Sequence, residues 1–413
     1  MGLSIETHVG ITKIVRQNEN NIRWRGYDGQ GRVGPGEANA DESAENAVHR
    51  GFQGKGRAAR LIKSNTDILN TWISKRKANM KPASFCLVGF PILMLFYAGL
   101  LPVSAQTKPA AVVVQKIWDA APHNAFTDLV RFRDRWFCVF REGQGHVSAD
   151  GALRVITSQD GVNWEAAARL TMPDADLRDA KITVTPDQRL MLSGAAAYHQ
   201  PHEHTHQSLV WFSEDGFQWS APVKVGDPDF WLWRVVWSDD KALGFGYGTR
   251  PENRGLRLYQ TEHGETFETL VPSAFVGGYP NETGLVFRDD GSCLCLLRRD
   301  GENSSAQLGV SQKPYRQWKW KDLGVQIGGP QMIELPDGRL IAGVRLYDGG
   351  ARTAICQIDP QKGSLKELLS LPSSGDNSYP GLVWHANRLW VSYYSSHEGK
   401  TSIYLANLAL PDP

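Results

Sequence analysis

A seven-residue turn motif recurs along this chain of 413 residues at a nearly constant interval. It reads SQDGVNW at 158–164 and SEDGFQW at 213–219, so Ser-x-Asp-Gly-x-x-Trp occurs twice. A degenerate copy, TEHGETF, follows at 261–267, and a more divergent one, SQKPYRQW, at 311–318. A period of about fifty residues with one turn motif per unit is typical of β-propellers and other repeat arrays.

Each residue type in the motif suits a turn at the edge of a sheet. Asp-Gly supplies a tight turn with one residue of positive φ, and the Asp and Ser side chains can bond the turn amides. The Trp is expected to pack back between neighbouring sheets. The motif resembles the Asp box of the sialidase (neuraminidase) superfamily, and this resemblance implies a propeller in which the box is scaffold rather than catalytic machinery.

Six strand–turn–strand units follow one another, and they open near residues 125, 179, 230, 281, 329 and 378. The last unit lacks room for a fourth strand, which the segment AVVVQKI at 111–117 can supply, closing the ring and removing sheet edges. We therefore predict an all-β fold over residues 106–413, a sialidase-like six-bladed β-propeller of four-stranded antiparallel blades. A five-bladed ring is the alternative.

The composition agrees with this fold and restricts the partners. With 14 Trp, 41 Gly and 22 Pro, the chain favours short strands and turns over long helices. Lys and Arg number 45 against 44 Asp and Glu, and no concentrated basic patch indicates a nucleic acid partner. The five cysteines have neither zinc-site nor disulfide-framework spacing.

The first 105 residues differ from the rest. Residues 1–79 are polar and weakly periodic, and we predict a disordered or mis-assigned extension. Met80-Lys81, the apolar run 85–101 and the small residues 103–105 have the order of a secretory signal peptide, so residues 80–105 are assigned to one. The propeller is then secreted or periplasmic, without stable membrane association after cleavage. The alternative is a signal anchor that holds the protein to a membrane through residues 85–101.

Polar residues recur where the first strand of each unit begins and the second strand ends, the positions that meet at one mouth of a propeller. Here the resemblance to sialidases becomes specific, because Glu, Arg, Arg, Tyr and Glu follow one another in the order and at spacings similar to those of that family. The matching residues are Glu282, Arg298, Arg345, Tyr379 and Glu398.

The resemblance implies that Tyr379 is the nucleophile and Glu282 its base, while Arg298 and Arg345 hold the substrate's carboxylate. Glu398 is a further candidate substrate-binding residue. The physical chemistry suits these roles. A tyrosine with a pKa near 10 is a poor nucleophile until a carboxylate takes its proton. Each arginine can offer a bidentate fork to a carboxylate.

The family's third arginine is missing from the first unit. His123 and Asn124 stand where it is expected. Arg141 at the end of the same unit's second strand, or Arg178 at the start of the next unit, can supply a third cation. Asn124, Arg141 and Arg178 are therefore candidate substrate-binding residues.

The Gly-rich loop GQGHVSADG at 143–151 lies where the family carries its acid/base. Asp150 matches that pattern and is the predicted acid/base. His146 can donate a proton near neutral pH instead, and we also count it as a candidate substrate-binding residue. A solvent-exposed loop with an Asp-Gly turn is the plain alternative.

A second loop, YHQPHEHTHQ at 198–207, is rich in histidine. A metal site, a substrate-contacting loop and a plain loop all remain open for it. Although the metal alternative stays open, the prediction for the chain is that it holds neither a metal nor a cofactor.

The sequence thus predicts an exported, monomeric exo-glycoside hydrolase that releases a terminal acidic sugar, sialic acid or similar, from a glycan through a tyrosine nucleophile with retention. Two alternatives stay open. One is a carbohydrate-binding propeller without catalysis, and the other is a glycosidase or lyase for a different uronic or neutral sugar.

Overall fold

A computed structural model describes residues 21–22, 112–200, 203–239, 241–302 and 304–411 of the chain. The predicted extension, apart from residues 21–22, and the predicted signal peptide lie outside these ranges, and both stay predictions. No helix in the described part of the chain is long and apolar enough to cross a membrane. One short 3-10 turn, Pro251–Asn253, accompanies the strands.

The strands of the first half of the chain are β1 (Asn21–Ile22), β2 (Val112–Trp118), β3 (His123–Phe132), β4 (Arg135–Gly143), β5 (Ala152–Ser158), β6 (Glu165–Leu170), β7 (Ala175–Val184), β8 (Leu190–Tyr198), β9 (His206–Ser213), β10 (Val223–Val225), β11 (Phe230–Ser238) and β12 (Lys241–Gly248). Those of the second half are β13 (Leu256–Thr261), β14 (Glu268–Phe275), β15 (Tyr279–Phe287), β16 (Ser292–Asp300), β17 (Ser305–Gln312), β18 (Lys319–Glu334), β19 (Leu340–Leu346), β20 (Arg352–Asp359), β21 (Ser364–Ser370), β22 (Asn377–His385), β23 (Arg388–Ser395) and β24 (Ser402–Leu408).

Consecutive strands pair antiparallel into sheets. Strands β3–β6, with the two-residue β1 parallel to β6, form the first sheet, and β7–β10 and β11–β14 form the next two. Strands β15–β21 form one sheet of seven, because the 16-residue β18 pairs with β17 through its first half and with β19 through its second. Strand β2 pairs with β24 beside β22 and β23, which confirms the predicted fourth strand of the last unit.

The first strands of these groups meet at the centre. Strand β3 contacts β7, β7 contacts β11, β11 contacts β15, β15 contacts β18, β18 contacts β22, and β22 contacts β3 again. Apolar side chains fill the spaces between adjacent sheets, as where Phe137, Leu153 and Trp211 share one cluster. The prediction of an all-β, propeller-type fold is thereby confirmed.

The repeated turn motif bonds as its sequence predicts. Asp160 Oδ1 accepts the N–H groups of the two residues after the glycine, at 2.8 Å each, and Ser158 Oγ accepts the N–H of Gly161 at 2.9 Å. The copy at 213–219 repeats these three bonds. Each copy begins at the last residue of the third strand of a sheet, β5 or β9, away from the inner strands at the centre. The motif is therefore scaffold.

Every inner strand carries the same irregularity midway along its length. Between two paired positions the inner strand advances three residues while its partner advances two, as from Ala125 to Asp128 opposite Arg141 to Val139. The other inner strands show the same single extra residue at the equivalent level, between Arg178 and Lys181, Leu232 and Val235, Pro280 and Thr283, Gly328 and Gln331, and Ser378 and Gly381. These β-bulges re-aim side chains towards the centre of the ring.

The turn glycines offer a test of this packing. Gly216 has φ +80°, and a Cβ there would lie 2.1 Å from the Phe137 ring of the neighbouring sheet. Gly338 has φ +82° with no atom within 4 Å of such a Cβ. We expect Gly216→Ala to lower the free energy of unfolding by about 3 kcal/mol, because overpacking adds to the left-handed strain. Gly338→Ala, the matched control, is expected to cost about 1 kcal/mol from strain alone.

Urea denaturation of the full chain and both variants measures the difference. Equal losses in the two variants would show that the Phe137 contact does not constrain the turn.

Candidate active site

Two bulges bring the predicted nucleophile and base together. Tyr379 lies in the bulge of β22 and Glu282 in that of β15, and both side chains are buried. The Tyr379 hydroxyl donates to Glu282 Oε1 at 2.5 Å. Arg298 Nη1 donates to the same carboxylate oxygen at 2.7 Å and to the Tyr379 hydroxyl at 2.9 Å. The other carboxylate oxygen accepts the backbone N–H of Gly329 at 2.8 Å.

This arrangement moves the pKa values of Glu282 and Tyr379 apart, so the carboxyl stays ionised and the phenol keeps its proton. Burial opposes the charge on Glu282, but the Arg298 cation and the hydrogen bonds from Arg298, Tyr379 and Gly329 hold the pKa of Glu282 below its ordinary value. Burial and the neighbouring Glu282 charge raise the pKa of Tyr379 well above 10. The resting pair is therefore a carboxylate that accepts a hydrogen bond from a neutral phenol.

Arg345 lies over the ring of the tyrosine. Its guanidinium carbon stands 5.3 Å from the centre of the Tyr379 ring. Arg345 donates to the carbonyl of Asn377, to the Tyr394 hydroxyl at 2.9 Å, and to Asp376 at 3.4 Å. Arg298 and Arg345, both predicted from sequence, thus flank Tyr379, and each is already paired with a carboxylate.

Asp376 joins the first unit to the last. Its Oδ2 lies 3.1 Å from His123 Nε2 and 2.7 Å from His146 Nδ1, while Oδ1 accepts the Tyr394 hydroxyl at 2.7 Å. Burial opposes its charge, yet the imidazole hydrogen bonds and Arg345 hold the pKa of Asp376 far below its usual range. Sequence reasoning missed Asp376, which carries no motif signal in the polar segment before β22.

Phe126 connects these histidines with the tyrosine. It lies in the β3 bulge with φ 64°, and its ring centre is 5.0 Å from both the His146 and the Tyr379 rings. The sequence gives no signal for it, because a phenylalanine in an apolar strand is indistinguishable from an ordinary core residue.

Arg141, a predicted third cation, holds the Gly-rich loop instead of facing Tyr379. It is fully buried and paired with Asp176 at 2.8 Å. Its other bonds go to the Gly145 carbonyl at 2.7 Å and to the Ser148 carbonyl at 3.1 Å and hydroxyl at 3.0 Å. These contacts flank His146 on both sides and therefore fix its place in the loop.

The other predicted residues lie outside the Tyr379 cluster. The Asp150 carboxylate is exposed and accepts the N–H of Gln144 at 3.1 Å; although burial opposes its charge, hydrogen bonds from Ser148 and the backbone lower its pKa. Asn124 bonds to backbone carbonyls, Arg178 pairs with Asp176, and Glu398 pairs with Lys116 of the outer strand β2. In the histidine-rich loop, His204 lies 3.3 Å from Asp229.

Lys181 is a further buried charge that sequence reasoning missed. Its ammonium nitrogen lies 4.7 Å from the centre of the Trp233 ring and donates to the Ala180 carbonyl. Burial and the nearby Arg234 lower the pKa of Lys181 to about 8. Trp233 in turn contacts the Tyr379 ring at 5.9 Å, so this lysine lies behind the candidate site.

A cavity of about 700 Å³ occupies the other end of the ring. Its walls come from the inner strands at and beyond the bulges and include Asp128, Lys181 and Arg234. Neither Tyr379 nor Glu282 lines this cavity, so the cavity is separate from the candidate site.

No protein-family model matches the chain, and no curated protein matches it in sequence. Solved structures share its fold. A protein of unknown function from Dyadobacter fermentans has a TM-score of 0.64 at 18% identity, covering 73% of this chain and 99% of that one. Trypanosoma rangeli sialidase in complex with the inhibitor DANA has a TM-score of 0.58 at 12% identity over 73% of this chain and 60% of its own, so this chain spans less than two thirds of that sialidase.

Penicillium chrysogenum alpha-L-arabinanase complexed with arabinobiose has a TM-score of 0.56 at 13% identity, over 71% of this chain and 98% of that one. At such identities the likeness establishes a fold shared with sialidase and arabinanase structures.

The buried Glu282 carboxylate has a measurable pH signature. We expect Glu282→Gln to lower the free energy of unfolding at pH 7 by about 3 kcal/mol, because it leaves the buried Arg298 with Asp300 as its remaining carboxylate partner. The folded-state pKa of Glu282 is below its unfolded value near 4.3. Its contribution is therefore fully present above the unfolded value and is lost as the pH falls through the lower folded value.

Urea denaturation at stepped pH values from 7 to 3 measures this difference. The control is Glu334→Gln, which breaks the more exposed pair with Arg288 and is expected to cost about 1 kcal/mol or less. If Glu282→Gln lowered the free energy of unfolding as little as Glu334→Gln, or if its effect did not shrink in acid, the buried network would not stabilise the fold in this way.

Proposed function

We propose that this chain is a secreted or periplasmic retaining exo-glycoside hydrolase on a six-bladed propeller. Two features support six blades. The inner strands β3, β7, β11, β15, β18 and β22 contact one another in a closed sequence. Dividing β18 at its change of partner, between Gln326 and Ile327, turns the seven-stranded sheet into two groups of four strands.

The observation that carries the catalytic proposal is the 2.5 Å hydrogen bond between the Tyr379 hydroxyl and Glu282. In the first step Tyr379 Oη bonds to the anomeric carbon and its proton passes to Glu282, while the bond to the leaving oxygen breaks and an acid protonates that oxygen. In the second step water replaces the tyrosine, which recovers its proton. Two inversions at the same carbon give retention.

Arg298 is placed to stabilise the negative charge that develops on the Tyr379 oxygen during this reaction. Because the tyrosine pKa is raised, a free phenolate does not accumulate, and proton transfer accompanies attack. Arg298 donates an N–H to the phenolic oxygen at 2.9 Å. This N–H stabilises negative charge on that oxygen while the reacting sugar ring carries positive charge.

Asp150 remains the proposed acid/base. Its exposed carboxylate on the Gly-rich loop is open to a leaving group, and the lowered pKa means that the free protein holds it ionised. That state suits the second step, in which the carboxylate takes a proton from water. For the first step, the leaving group covers Asp150 and raises the pKa of its carboxyl, so that it can hold and donate a proton.

A terminal acidic sugar is the first candidate substrate, because Arg298 and Arg345 flank Tyr379 and can receive a carboxylate. A neutral sugar is the second candidate, and one observation favours it. Arg298, Arg345, Arg141 and Arg178 are all paired with carboxylates, which leaves the mouth close to neutral.

Turnover of fluorogenic glycosides by the full chain tests the proposal. The panel includes an α-sialoside, uronides and an α-L-arabinofuranoside, and product NMR reports the anomer released. We expect a retained anomer and a loss of kcat/KM of at least about 10³-fold in Tyr379→Phe. The matched control is Tyr393→Phe, whose buried hydroxyl bonds to the Pro372 carbonyl outside the site and which is expected to keep activity.

Full activity in Tyr379→Phe, or an inverted product, would refute the tyrosine mechanism. If no glycoside of the panel is cleaved while glycans bind the protein, the alternative of a carbohydrate-binding propeller replaces the proposal.

A further inference from the structure

Three metal-ligating side chains from distant parts of the chain converge beside Tyr379. They are His123 at the start of β3, His146 in the Gly-rich loop and Asp376 before β22. Their nearest ligand atoms all lie within 4.8 Å of one another. We propose that these three residues form a binding site for a divalent transition metal ion, with Zn²⁺ as the best match.

The distances suit this assignment. In a tetrahedral zinc site with bonds of about 2.0–2.1 Å, neighbouring ligand atoms lie about 3.3 Å apart. His123 Nε2 and His146 Nδ1 lie 3.1 Å and 2.7 Å from Asp376 Oδ2, and the ligand atoms of all three residues lie within 4.8 Å of one another, so small side-chain rotations would bring them around one ion. Two imidazoles and one carboxylate leave a coordination position for water or substrate, as in catalytic rather than structural zinc sites.

The surroundings hold the ligands as outer-shell partners do at metal sites. Asp376 uses Oδ1 for the Tyr394 hydroxyl at 2.7 Å and for Arg345 at 3.4 Å, which leaves Oδ2 to the imidazoles. Arg141 fixes the loop on both sides of His146 through Gly145 and Ser148.

The nearby charges are compatible with a cation. Arg345 contacts Asp376 at Oδ1, whereas the two histidines contact Oδ2. The other bonds of Arg345 go to the Asn377 carbonyl and the Tyr394 hydroxyl. Phe126 covers the imidazoles at ring distances of 5.0 Å and 6.5 Å and adds no charge.

The site also accounts for the missing arginine of the first unit. His123 stands at that position, and an ion bound there returns a cation to the mouth next to Arg345 and Tyr379. An open position on this ion would receive a carboxylate or hydroxyl oxygen of the sugar. This last step rests on the proposed function, whereas the metal site does not.

The test is metal binding by the full chain after removal of metal with a chelator. Calorimetric titration with Zn²⁺ and elemental analysis after dialysis are expected to give one ion per chain. Titration with Co²⁺ is expected to give the visible absorption of a site with nitrogen and oxygen ligands. His146→Ala and Asp376→Asn are each expected to lose at least 100-fold in Zn²⁺ affinity, and Tyr394→Phe, an outer-shell change, about tenfold.

Two variants separate this site from the alternatives. His199→Ala removes an imidazole from the histidine-rich loop, and Tyr379→Phe removes the proposed nucleophile; both are expected to bind Zn²⁺ like the unaltered chain. Circular dichroism and thermal melting verify that each variant is folded. Failure of the glycosidase proposal leaves these binding results unchanged, so the two outcomes are distinguishable.

Absence of stoichiometric binding of Zn²⁺ or Co²⁺ by the unaltered chain would overturn the inference, and so would binding that survives Asp376→Asn. Binding lost in His199→Ala but kept in His146→Ala would move the metal to the histidine-rich loop and refute the proposed site.

Discussion

One extra residue in each inner strand is the constraint on which the candidate site depends. The bulges occur at one level of the ring and place Phe126, Glu282 and Tyr379 at the same mouth. Phe126 and Tyr379 have φ of 64° and 51°, a conformation that costs an L-residue of order 1–3 kcal/mol. The dense packing of aromatic rings and the hydrogen bond to Glu282 hold this strained backbone, so scaffold and site stabilise each other.

Once the bulges have brought charges into the interior, each charge needs a partner, because an unpaired buried ion is too costly to keep. Glu282 with Arg298 and Asp376 with Arg345 form two networks, one at the Tyr379 hydroxyl and one over its ring. Glu282 accepts the tyrosine's hydrogen bond in the first network, and the second binds two imidazoles. The same balance explains why Arg141 and Arg178, both paired with Asp176, do not add a free cation to the mouth.

The phase of the repeat allowed much of the fold and of the candidate site to be predicted from sequence, because equivalent positions in successive units share one level of the ring. Glu282, Arg298, Arg345 and Tyr379 could be grouped in that way, and β2 could be placed beside β24. Asp376 could not, since it lies in no motif and its partners His123 and His146 are more than 200 residues away in sequence. The bonds of Asn124 to backbone carbonyls and of Glu398 to Lys116 also depend on tertiary contacts that periodicity does not encode.

Trapping a covalent intermediate is the sharpest test of the proposed attack by Tyr379 on the sugar. Activated fluorosugars, 2,3-difluorosialic acid and a 2-fluoro arabinofuranosyl fluoride among them, slow the second step and accumulate the covalent form. Peptide mass spectrometry of the full chain after incubation should find the sugar on Tyr379, and Glu282→Gln should slow its formation. A sugar attached to a carboxylate such as Glu282 or Asp150, with Tyr379 unmodified, would refute the tyrosine nucleophile.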